Sequence, residues 1–77
     1  MDHLNLAALE EGQQALVDSI QQTGPMARRL RDMGLTRGTP VRCLHKSPFG
    51  DPAAYLIRGA VIALRREDSR RVLVTLP

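Results

Sequence analysis

A thiol and an imidazole stand two residues apart at Cys43 and His45, and an aspartate precedes a second imidazole at Asp2 and His3. A C-x-H pair can begin a metal site. Structural zinc, however, takes a full tetrahedral set, and catalytic zinc takes three protein ligands plus an open position. The chain has one cysteine and two histidines, so no second cluster exists to complete a site. Val41, Cys43 and His45 alternate with Arg42, Leu44 and Lys46, a pattern that turns the first three toward one face of a strand. Cys43 is therefore read as a small buried hydrophobe and His45 as a weak ligand. His3 has the better coordination chemistry. A free α-amine, the amides that follow and a third-position imidazole form a planar nitrogen set suited to copper(II) or nickel(II). With Asp2 the same terminus offers a zinc site shared between two chains, hence a weak or metal-bridged homodimer. Asp2, His3 and His45 are the metal candidates, and all three are adventitious: zinc, copper or nickel can bind there, and no cofactor is required.

Catalysis finds less support still. The sequence has no Ser-His-Asp arrangement in a recognisable context and no Gly-rich loop ahead of a helix. Gly34 and Gly38 follow a helical pattern, whereas a phosphate-cradling loop precedes one. The chain is expected not to be an enzyme.

Recognition chemistry is more plausible, and arginine carries it. The net charge is +3, and the charges are unevenly spread. Asp2, Glu10, Glu11 and Asp18 gather at the start, while all but one of the basic residues are arginines, concentrated at 28–42 and 58–71. The guanidinium fork fits carboxylates and phosphates. A basic small barrel that binds nucleic acid is thus the alternative reading. It is disfavoured by one Phe, one Tyr and no Trp, which leave bases little to stack on. No nucleic-acid partner is expected.

The stretch Met26 to Gly38, MARRLRDMGLTRG, shows how such arginines are positioned. Met26, Leu30 and Met33 fall on one helical stripe, and Arg28, Arg29 and Arg31 cover the flanks. A helix over 25–33 follows, with Gly24 as N-cap and Pro25 in its first turn. Gly34 can take the left-handed conformation beyond the helix, so that Leu35 folds back onto Leu30 in a Schellman stop.

Around this helix the pattern is β. Strands are expected at Gln13–Ile20, Thr39–Lys46, Ala53–Arg58, Ala60–Arg66 and Arg71–Leu76. Leu4 to Leu9 leads into a turn at Gly12, Gly59 marks a tight bend, and Glu67 to Arg70 makes a turn or one helical turn. Ser47 to Pro52, SPFGDP, is a loop with Phe49 at its tip, either folded inward or exposed as a partner anchor. The fold class is all-β with a short inserted helix, a small antiparallel barrel, since closure removes exposed edges. The 77 residues make one domain with a modest core, 43% apolar and 25% charged. No secretory n-region or membrane-length apolar run is visible, and a lone cysteine suits a reducing compartment, so the expected location is the cytoplasm.

The motifs RRLRDMGLTRG (28–38), SPFGDP (47–52) and IALRRED (62–68), after an opening Leu6, Leu9, Gly12, resemble the FeoA family of small proteins in bacterial ferrous-iron uptake. Arg37 departs from the proline often found before the turn glycine. The resemblance implies an SH3-like barrel of five or six strands with the helix across one end, and no enzymatic activity. It also implies a partner, the FeoB-type membrane transporter with its cytosolic G-domain; the alternative it implies is a module associated with a transcription regulator, as in some iron-dependent repressors. On that reading Arg28, Arg29, Arg31 and Phe49 are the partner-binding candidates.

Overall fold

The computed structural model describes residues 4–77, so Asp2 and His3 lie outside the described residues. Strands β1 (Leu4–Asn5), β2 (Gln14–Ile20), β3 (Pro40–Lys46), β4 (Ala53–Ile57), β5 (Ala60–Leu64) and β6 (Val72–Thr75) form one antiparallel sheet. Helix α1 (Gly24–Asp32) joins β2 to β3, and a single helical turn α2 (Arg66–Ser69) joins β5 to β6. Five strands fall where the alternation put them. The sixth, β1, is too short for a periodic signal, and it is followed by a 3₁₀ turn at Leu6–Ala8. Arg66 belongs to α2, not to the preceding strand.

The strands run in the order β1-β6-β2-β3-β4-β5. All of them nevertheless contribute to one hydrophobic cluster, from Leu4 through Ala15, Val17, Cys43, Tyr55 and Leu64 to Val74, so the sheet wraps around a single core. This is the expected SH3-like architecture, left unclosed: among the described residues no ladder joins β1 to β5. Tyr55 lies at the centre, fully buried, and its hydroxyl donates to the Leu6 carbonyl at 3.4 Å.

Helix α1 buries Ala27 and Leu30 and half-buries Met26 and Met33, the stripe read from the sequence with Ala27 added. Its N-cap is Thr23, one residue earlier than expected, and the Thr23 side chain makes no capping bond. The stop is a Schellman motif in full. The Gly34 N–H donates to the Arg31 carbonyl at 2.9 Å and the Leu35 N–H to the Leu30 carbonyl at 3.1 Å. Gly34 takes φ +108°, and Leu30 and Leu35 are both buried.

A β-bulge in β3 overturns one expectation. Cys43 pairs with Tyr55, but the next partners are His45 and Ala54, so an extra residue enters β3 at Leu44. An inserted residue reverses the inside-outside alternation beyond it. Cys43 is buried, whereas the His45 side chain is 73% exposed. The two do not share a face, and period-two counting could not foresee the slip.

Candidate functional site

The arginines sort by what already holds them. Arg58 sits at the β4–β5 turn with φ +49°, and its Nη2 donates to Thr39 Oγ1 at 3.2 Å and Thr36 Oγ1 at 3.3 Å. The two threonine hydroxyls are themselves 2.9 Å apart, so this cation ties the β4–β5 turn to the segment after α1. Arg42 Nε donates to the Gly12 carbonyl at 3.3 Å. These two arginines are engaged in holding turns.

Arg28, Arg29 and Arg31 differ. Arg28 projects opposite the buried stripe of α1 and Arg29 and Arg31 project from its two flanks, all three exposed, and among the described residues no ion pair holds them. A helix whose inner stripe is fixed by packing thus presents an unneutralised basic surface, bordered by Gly24, Pro25 and Asp32. Such a surface can meet carboxylates or phosphates; it offers no group poised for bond-making.

Phe49 is 92% exposed at the tip of the β3–β4 loop, so it does not fold inward as a plug. The loop beneath it is braced. The Gly50 N–H donates to the Ser47 carbonyl at 2.7 Å, the Ser47 N–H to the Pro52 carbonyl at 3.2 Å, and Asp51 Oδ1 accepts the Arg66 N–H at 2.9 Å, fastening the loop to α2. An apolar ring on a fixed stem can anchor a partner with little ordering cost.

Of the metal candidates, His45 is the one that lies among the described residues. Among the described residues no group of three or more His, Cys, Asp and Glu side chains converges. His45 Nδ1 lies 3.2 Å from Glu11 Oε2, an oxygen that also accepts the Lys46 N–H at 2.7 Å. This arrangement tacks the 10–13 turn to β3. Burial pushes the Cys43 thiol above its ordinary pKa, partly offset by the Lys46 cation, so it stays a neutral, packed side chain.

Sequence reading missed an apolar outer surface on β3, β4 and β5. Leu44, Leu56 and Val61 lie on the solvent side, Leu44 at 39% exposure and Val61 at 66%. The signal was present: all three occupy positions that the alternation assigns outward, where polar residues are usual. Between α1 and β5 runs a groove lined by Met26, Leu30, Met33, Ala63 and Leu64, with Arg29 and Arg65 on its rim.

Comparison with known proteins matches residues 4–76 to the FeoA domain. The chain belongs to the FeoA domain family. It is 30% identical over 73 residues to the Fe(2+) transport protein A/Fe(2+) transporter FeoB fusion protein of Porphyromonas gingivalis, covering 95% of this chain and 9% of that protein. The chain thus spans under a tenth of that relative's length. The solution structure of FeoA from Chlorobium tepidum superposes with TM-score 0.88 at 32% identity, covering 95% of this chain and 70% of the other. Zinc-complexed FeoA of Stenotrophomonas maltophilia, described as an SH3 domain protein, gives TM-score 0.83 at 33% identity, covering 92% and 88%. This FeoA-domain chain has no helix, among the described residues, long and apolar enough to cross a membrane.

Proposed function

We propose that this FeoA-domain protein is a non-enzymatic accessory of ferrous-iron uptake that docks on the cytosolic part of a FeoB-type membrane transporter and supports or regulates import. The observation that carries the proposal is the fusion relative, in which a FeoA-type segment and a FeoB transporter share one chain. Covalent linkage holds two modules at high effective concentration, an arrangement suited to modules that work in contact. Where the two modules are not fused, that contact must come from the surface. Arg28, Arg29 and Arg31 supply long-range attraction to an acidic patch, and Phe49 supplies an apolar anchor at a separate site. Iron(II) is the transporter's cargo, not a ligand of this chain.

The test is calorimetric titration of the protein with the purified cytosolic domain of the FeoB-type transporter from the same genome, at low and at high salt. Saturable binding that weakens as salt rises is expected. No binding at either salt would overturn the proposal. Tight binding of duplex RNA or DNA with a steep salt slope would replace it with the nucleic-acid reading.

A further inference from the structure

Strand β5 is an edge with an unused hydrogen-bonding ladder. Among the described residues it pairs with β4 alone, through a two-residue turn at Arg58-Gly59 with φ +49° and +80°. Such a turn closes on a hydrogen-bonded pair, here Ile57 and Ala60. In antiparallel ladders bonded and non-bonded pairs alternate, so Ala60, Ile62 and Leu64 direct their N–H and C=O groups at β4, and Val61 and Ala63 direct theirs outward. Among the described residues no hydrogen bond from another element engages Val61 or Ala63. The side chains along this edge are apolar, and Ala63 lines the groove against α1, whose half-buried Met26 and Met33 form the opposite wall. Methionine walls adapt to varied side chains.

We propose that β5 accepts an added strand: an extended segment of the docking partner, apolar at alternate positions and acidic at its flanks, pairs with the β5 edge and lies in the groove against α1. Charge selects this occupant. Arg58 stands at one end of β5, Arg65 and Arg66 at the other, and Arg29 across the groove, so these cations outnumber the two carboxylates that line the groove, Glu67 and Asp68. A second copy of the chain is the poorer fit. Antiparallel self-pairing that sets Val61 against the copy's Ala63 brings the Arg65-Arg66 end of β5 near the copy's Arg58, gathering like charges at both ends of the paired strands. The inference rests on the docking function above and names where and how the partner binds.

Amide hydrogen exchange by NMR reads this edge directly, with the transporter's purified cytosolic domain as probe. On saturation the Val61 and Ala63 amides should slow at least about tenfold, while Ala60, Ile62 and Leu64, already bonded to β4, change little. Ala63→Pro removes an outward N–H that no internal bond uses, a position where an edge strand tolerates proline, and should weaken binding about tenfold or more. Binding with Val61 and Ala63 still exchanging at free-protein rates overturns the edge proposal and leaves the docking function standing. No binding overturns both. Protection that appears with rising protein concentration and no probe shows self-pairing, and also overturns it.

Discussion

Replacing Gly34 with alanine tests how the helix stop and the Arg58 brace depend on each other. Gly34 takes φ +108°, and a Cβ built there would sit 2.7 Å from Arg58 Cδ and 3.1 Å from the Ile57 methyl Cγ2. The backbone term alone costs about 1–2 kcal/mol for an L-residue held at positive φ. Ile57 is fully buried and cannot retreat, so Arg58 must move. Its movement breaks the donor pair to Thr36 and Thr39, each bond worth about 0.5–1.5 kcal/mol. The sum is about 2–5 kcal/mol. A chain of 77 residues has total stability of about 4–12 kcal/mol at roughly 0.05–0.15 kcal/mol per residue, so the loss is a large fraction. Gly38→Ala is the control: φ is +87°, yet nothing lies within 4 Å of the added carbon, and only the backbone term applies. Urea unfolding of the two variants, followed by circular dichroism, measures the difference. If Gly34→Ala loses no more stability than Gly38→Ala, the contact with Arg58 carries no weight and the reasoning fails.

Arg28→Glu with Arg31→Glu should shift stability by no more than about 0.5 kcal/mol per site, because both residues are exposed, yet weaken binding to the transporter's cytosolic domain and reduce ferrous-iron uptake in cells. Phe49→Ala supplies the contrast: if it abolishes binding while the double reversal leaves it intact, the loop tip is the anchor and the basic helix is not. Cys43 should resist iodoacetamide in the folded protein at neutral pH and react once urea unfolds it, since burial holds it as the thiol; rapid labelling of the native state, read by mass spectrometry, would contradict that. Calorimetry should find no sub-micromolar iron(II) site, and any copper(II) or nickel(II) binding should disappear in His3→Ala while surviving His45→Ala.

Turn chemistry was the part of this fold most legible in the sequence. The stop at Gly34, the loop at SPFGDP and the bend at Gly59 each depend on residues a few positions apart, and each stands where the residue types require it. What depended on pairing was not legible. The bulge at Leu44 is set by how β3 meets β4, so the outward turn of His45 had no local signature. β1 spans only Leu4–Asn5, and its strand character comes from the β6 residues Val74 and Leu73 it pairs with. The candidate site divides in the same way. Exposure of Arg28, Arg29 and Arg31 follows from helical periodicity, whereas the engagement of Arg58 by Thr36 and Thr39 joins segments about twenty residues apart.

Arginine content alone therefore says little about the docking surface of this domain, and the hydrogen bonds that arginines already make say more. Arg58 and Arg42 have donors committed to threonine hydroxyls and a backbone carbonyl, so they can lend their charge to a partner, whereas taking those donors would first loosen a turn. Among the described residues Arg28, Arg29 and Arg31 carry no such commitment, and α1 is held by Ala27, Leu30 and the Schellman stop. The same helix forms one wall of the groove whose other wall is the free edge of β5. Arg29 lines that groove, so charge that attracts and a backbone edge that can pair lie side by side. A partner drawn in by the arginines would arrive beside the strand edge with little further search, as expected when long-range attraction governs the rate of encounter and short-range pairing governs its lifetime.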